Sequence, residues 1–375
     1  MKKLMISLIA LFALPAIASA QWHIETGINQ GYEWNIFKNP EQLVEERDTL
    51  QRNRLWQNSS FNELSADIEY EFDWENSRLQ LMTDLSTNLY HQATEAHEFS
   101  YEVGASFRTN FADGKYFELS PEFSSKRQEG IEATDPVFSS RLSYRQLKLP
   151  LELDIYLGNL AWLRFETMYR SRRYDQRNDK QTSYSAYYFE ALFKQSVDGS
   201  GRFDHEFEIE NRTRYRDQVT ADIGEGGTVL DKDFRQFTKT ETELVYRLQN
   251  RQDLFEIEFP VQGTLFFDHP SSSLNYRELE FGSEVDVTVG RAEVSFGIDR
   301  TFRHFNNFEV GSPGEKLFYA YWSGDAGVEF ELSSNIFVTV EASYTTRTST
   351  RQRLTTAFYR EYTNSYIQSG IRVNL

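Results

Sequence analysis

Charge and a few scattered histidines are the chemical resources of this chain. It carries 57 acidic side chains, 40 basic ones, six histidines and no cysteine. His23, His91, His97, His205, His269 and His304 fall at spacings that suit neither a metal site nor a hydrolase. Neither G-x-S-x-G nor H-E-x-x-H occurs. Asp268-His269, with His304 as a partner, is the one combination an aspartate–histidine hydrolase would use. Adjacent residues of a strand point to opposite faces, which speaks against it. The chain therefore reads as no enzyme, with no metal and no cofactor. Composition excludes thiol chemistry and disulfides. A formal charge of −17 argues against general nucleic-acid binding. What remains is recognition by charge, since arginine engages a carboxylate or phosphate through two parallel hydrogen bonds.

The elements that must position these charges alternate in polarity. From Trp22 to Phe37, one face holds Trp22, Ile24, Thr26, Ile28, Tyr32, Trp34 and Ile36. The other holds His23, Glu25, Gly27, Asn29, Gly31, Glu33 and Asn35. A period of two is the signature of a strand. The pattern continues through about sixteen stretches joined by alternately short and longer connections. Short turns fall at Glu75-Asn76-Ser77, Asp113-Gly114, Gly158-Asn159, Asp198-Gly199, Asn250, Gly290-Arg291 and Ser333-Asn335. Stretches of roughly ten to twenty residues exceed the five or six usual in soluble sheets. Aromatics collect near their ends, at Trp22, Trp34, Trp74, Tyr90, Tyr169 and Tyr344, as expected at a membrane interface.

The two ends of the sequence agree with this. Lys2, Lys3, an apolar run from Leu4 to Leu14, and Ala18-Ser19-Ala20 read as a secretory signal at residues 1–20. Cleavage before Gln21 would leave one domain, residues 21–375, and take the charge from −17 to −19. The last strand, Ser365 to Leu375, alternates and runs to the terminus. Gln368, Gly370, Val373 and Leu375 match, with Leu in place of the commoner Phe, the insertion signal of bacterial outer-membrane β-barrels. The chain resembles that class, porin-like in pattern and without a more specific family. The resemblance implies an all-β fold: a transmembrane antiparallel up-and-down β-barrel of about 16 strands, with short periplasmic turns and longer extracellular loops. It implies residence in the outer membrane, among lipid and lipopolysaccharide, after insertion by the barrel-assembly machinery through the C-terminal strand.

Hairpin order then assigns depth to the polar face. Toward the short turns lie acids, among them Glu208, Glu256, Glu258, Glu284, Glu329 and Glu331. Toward the long connections lie Arg141, Arg145, Arg170, Arg172, Arg212, Arg214, Arg235, Arg303 and Arg360. One reading is a basic vestibule above an acidic mouth, with inward Tyr276, Tyr319, Tyr321, Tyr362 and Tyr366 offering flat faces to solutes. The other is a set of cross-strand ion pairs that brace the wall. The functional expectation is a porin-like channel for passive diffusion of small hydrophilic solutes, anions among them. Two alternatives stay open: an export conduit for a surface polysaccharide, or a non-conducting structural or adhesive barrel.

Local expectations follow for particular stretches. A parity change between Tyr144 and Leu147 predicts a bulge near Arg145 to Leu147, close to Pro150. Residues 38–59 read as a loop with a short helix capped by Asn39 and opened by Pro40. Residues 216–233 read as a long loop around Gly224, Gly226 and Gly227. The connection Gln128 to Pro136 is too short for a constriction loop.

Overall fold

In the computed structural model, sixteen strands close into an antiparallel up-and-down barrel. It describes residues 21–375 apart from 46–47, 129–142, 159, 176–179, 198–202, 224–228, 251–253, 270–271, 273, 311–313 and 352–360. The sequence-predicted leader (1–20) and the Gln128 to Pro136 connection beyond Gln128 therefore lie outside the described residues.

The first eight strands are β1 (Gln21–Trp34), β2 (Ser59–Asp73), β3 (Ser77–Tyr90), β4 (Glu98–Ala112), β5 (Lys115–Leu119 with Glu122–Gln128), β6 (Tyr144–Tyr156), β7 (Ala161–Tyr174) and β8 (Lys180–Val197). The rest are β9 (Phe203–Ile223), β10 (Val229–Asn250), β11 (Phe255–Asp268), β12 (Tyr276–Val289), β13 (Ala292–Glu309), β14 (Lys316–Ser333), β15 (Ile336–Ser349) and β16 (Tyr362–Asn374). Each strand pairs with its neighbours in sequence, and β1 pairs with both β2 and β16, so no edge is left open. The seam between β1 and β16 runs in one register from Glu25↔Asn374 to Trp34↔Ser365. Beyond it, Ile24 and Leu375 exchange backbone hydrogen bonds of 3.1 and 2.8 Å.

The apolar half of each strand points outward and stays uncovered by protein. Ile28 is 64% exposed, Phe189 52% and Ile371 51%. In water such a surface would be costly at about 25 cal/mol per Å²; in a bilayer, lipid takes the place of a core. Buried apolar clusters lie instead on the inward face toward the long connections. One joins Tyr174, Tyr184, Ala186 and Tyr188; another centres on Phe237, Phe266, Tyr276, Phe305 and Tyr319.

Four local expectations are corrected. No bulge interrupts β6: its pairing with β7 is continuous from Trp162↔Tyr156 to Tyr174↔Tyr144. Tyr144 is an inward residue that packs against Tyr174, so its parity misled; Phe138 and Leu142 lie outside the described residues. The irregularity falls on the partner strand, at Ser120-Pro121. Ser120 N–H donates to Pro150 at 3.3 Å, but Pro150 has no N–H to return the bond. The region after β1 forms no helix at Asn39. Gln42–Glu45 and Asp48–Gln51 make a small hairpin, with Leu43 opposite Leu50, followed by one helical turn, Arg52–Leu55. Asn39 instead donates from Nδ2 to the Leu55 carbonyl at 2.8 Å. Residues 216–223 and 229–233 are strand, not loop: β9 and β10 extend to 21 and 22 residues, about twice what a bilayer crossing requires. Gly224, Gly226 and Gly227 are outside the described residues. Finally, Tyr90 belongs to no interfacial belt. It is buried inside, where its hydroxyl donates to Glu33 at 2.7 Å.

Candidate functional site

The inward face is the candidate site, because alternation delivers most of the charged strand residues to it. The acids near the short turns are clamped by arginines that cross from neighbouring strands. Arg247 on β10 lies 2.9 Å from Glu256 and also contacts Glu206 and Glu258. Glu258 faces Glu284 directly across β11 and β12, so Arg247 offsets a repulsion between two carboxylates. Arg372 on β16 meets Glu25 at 3.3 Å and Glu329 at 2.6 Å. Glu208, opposite Lys194, and Glu331, on the inward parity of Glu329, complete the sequence-predicted acidic set at this end.

Toward the long connections the arginines are interleaved with aromatic rings. Arg172 stacks over Tyr144 at 3.9 Å and donates from Nε to Gln146 at 2.8 Å. Arg170 and Arg214 both lie over Tyr188, at 4.7 and 5.7 Å. Arg303 pairs with Glu278 and lies 4.5 Å from the Tyr276 ring. Cation–π contacts of this kind are strengthened by desolvation. Arg212 differs, held between Glu190 at 2.7 Å and Glu210 at 2.8 Å. Arg235 approaches Asp233 at 3.6 Å. Arg141 and Arg360 lie outside the described residues. Arg145 leaves the inward set altogether: with no bulge in β6, it shares the outward face of Leu147 and Leu149 and is exposed.

Sequence reading missed one arginine of this layer, Arg216, and most of its rings. Arg216 is 5% exposed and lies 4.8 Å from Tyr184 and 5.1 Å from Phe237. Arg347, in the same layer, sits 4.6 Å from both Tyr319 and Tyr362. The signal was available: Tyr184 and Tyr188 have the same parity as Glu190, and Tyr174 that of Arg172. Tyr276, Tyr319, Tyr321, Tyr362 and Tyr366 are on the inward parity as expected.

Open space remains inside. A cavity of about 720 Å³ lies against β1 to β7. Asp67, Asp84 and Glu102 line it together with Lys126, Lys148, Arg170 and Arg172, and Lys148 lies 3.9 Å from Glu102. Asp67 and Asp84 face each other across β2 and β3, while Lys126 is paired with Glu98 at 2.8 Å. The Nε atom of Arg170 has no hydrogen-bond partner. The arrangement can attract and orient charged solutes across the lumen.

Among the described residues, the Asp268, His269 and His304 combination does not assemble. Asp268 is buried on the inward face, whereas His304 points outward against Phe318, with ring centroids 4.5 Å apart. His269 bonds through Nε2 to Thr238 at 2.7 Å. Among the described residues, no group of three His, Asp or Glu is placed to hold a metal.

No family model matches the chain, and no curated protein is similar to it in sequence. Solved structures do match over nearly all of its length. OccAB3 of Acinetobacter baumannii has 8% identity and a TM-score of 0.50, with 95% of this chain and 100% of that one covered. OprB of Pseudomonas putida has 8% identity and a TM-score of 0.49 over 95% and 94%. An anion-selective porin from Comamonas acidovorans has 9% identity and a TM-score of 0.43 over 95% and 99%. Likeness at such identity is a likeness of fold: this chain has the closed sixteen-stranded antiparallel fold of bacterial outer-membrane β-barrels.

Proposed function

We propose that this chain is a porin-like outer-membrane channel through which small hydrophilic solutes diffuse passively, and that it catalyses no reaction. The observation that carries the reading is the division of faces. Sixteen strands turn apolar side chains outward and charged ones inward, around a cavity of about 720 Å³ lined by opposite charges. A barrel of this strand number is wide enough for an aqueous path. Within it, Arg170 and Arg172 are the residues proposed to favour anions, because both line the cavity and, among the described residues, neither forms an ion pair with a carboxylate. Arg212 and Arg247 are proposed as wall braces, each held by more than one carboxylate. The chain would reach the membrane by export, with the leader removed before Gln21, and insert through Gln368, Gly370, Val373 and Leu375. Swelling of proteoliposomes in iso-osmotic sugars and amino acids tests the reading. Uptake that falls as solute size rises is expected; impermeability to the smallest solutes would overturn it.

A further inference from the structure

The outward face carries its own concentration of positive charge, separate from the lumen. On three consecutive strands the outward residues run from an apolar band toward the long connections and end in arginine. On β5 the series is Phe123, Ser125, Arg127; on β6 it is Leu151, Leu149, Leu147, Arg145; on β7 it is Tyr169, Ser171, Arg173. All three arginines are exposed. Arg145 stands directly opposite Arg173 on one side and Ser125 on the other, which makes Arg127 its diagonal neighbour. Directly opposed side chains begin about 5 Å apart, and like charges there repel. Asp175, next on the parity of Arg173, is outnumbered by the three guanidinium groups.

We propose that Arg127, Arg145 and Arg173 form an external site for the phosphate groups of a phosphorylated glycolipid in the leaflet at the long-connection end. Depth supports this. Leu147, one outward step from Arg145 and about 7 Å along the strand, still belongs to the apolar band. The Tyr169 and Tyr187 rings, 5.3 Å apart, mark the level where aromatic side chains meet headgroups. Each arginine lies one or two outward steps beyond the last apolar or aromatic residue of its own strand, Phe123, Leu147 or Tyr169, at headgroup height. A planar guanidinium grips phosphate through paired hydrogen bonds, and a phosphate between Arg145 and Arg173 turns their repulsion into a shared contact. The site rests on the reading that the barrel spans a membrane, and is independent of whether it conducts.

The test uses the whole barrel in phosphatidylcholine nanodiscs containing either bis-phosphorylated lipid A or the same glycolipid with its phosphates removed. Retained lipid is counted by native mass spectrometry, and folding is checked by heat-modifiable migration. The phosphorylated form is expected to be retained preferentially. The triple change Arg127→Gln, Arg145→Gln, Arg173→Gln should weaken retention about tenfold or more, as loss of charge-assisted hydrogen bonds implies. Inward Arg170→Gln should leave it unchanged. Equal retention of the two glycolipids, or undiminished retention by a folded triple variant, would overturn the proposal. Should the triple variant not fold, Arg145→Gln alone should give a partial loss, and no loss would overturn it equally. Absent conductance with intact lipid retention would contradict only the channel.

Discussion

Arg372, on the last strand, lies 3.3 Å from Glu25 on the first and 2.6 Å from Glu329 two strands away. One guanidinium thus ties three strands together across the seam where the barrel closes. These side chains are about one-third exposed to the lumen, so water weakens each pair. Arg372→Gln should cost about 1 kcal/mol, read as a lower unfolding temperature of the heat-modifiable band. Glu25→Gln alone should cost less, since Glu329 retains the arginine.

Gly370 is the tightest point of the same seam. A Cβ there would lie 2.5 Å from the Ile28 carbonyl oxygen, a backbone atom that cannot swing away. Gly370→Ala should destabilise the barrel by about 1–3 kcal/mol, as overpacking does. Guanidinium titration of the tryptophan fluorescence measures it. The same change at Gly263, where a Cβ would meet nothing within 4 Å, should be nearly silent.

Deleting Val373 to Leu375 removes the two backbone bonds between Leu375 and Ile24 and the Val373↔Thr26 pair. It also removes two positions of the insertion signal. Folded barrel recovered from outer membranes should fall severalfold; unchanged heat-modifiable material would show that the terminal residues are dispensable.

Arg170 and Arg212 should separate solute contact from bracing. Arg170→Glu in the cavity wall should shift ion preference toward cations, with little loss of stability. Arg212→Gln leaves Glu190 and Glu210 without their shared partner and should destabilise by about 1–3 kcal/mol with a smaller change in preference. Reversal potentials under a salt gradient and thermal unfolding read the two effects separately.

Much of the fold was legible because a period of two leaves no ambiguity over long runs such as Trp22 to Ile36. The strand count, the β1–β16 seam and the Glu25–Arg372 pair all follow from parity and hairpin order. The same rule failed where an aromatic faced inward. Tyr144 and Tyr90 were read as lipid-facing because aromatics usually mark that face, yet Tyr144 lies under Arg172 and Tyr90 bonds to Glu33. The assumed bulge that followed kept Arg145 in the lumen when its true neighbours are Leu147 and Leu149. Helix capping at Asn39 was outweighed by the Leu43↔Leu50 cross-strand pair. Which arginines would stack and which would be clamped depends on the exact cross-strand register, which sets Arg216 directly opposite Phe237. Parity gives the face of a residue, not its partner.

The central claim is that the charged interior conducts. Single-channel recording of the purified barrel in planar bilayers tests it most directly. The account predicts discrete, lasting conductance steps whose reversal potential moves toward cation preference in Arg170→Glu. A correctly folded, heat-modifiable barrel that inserts and passes no current would contradict it.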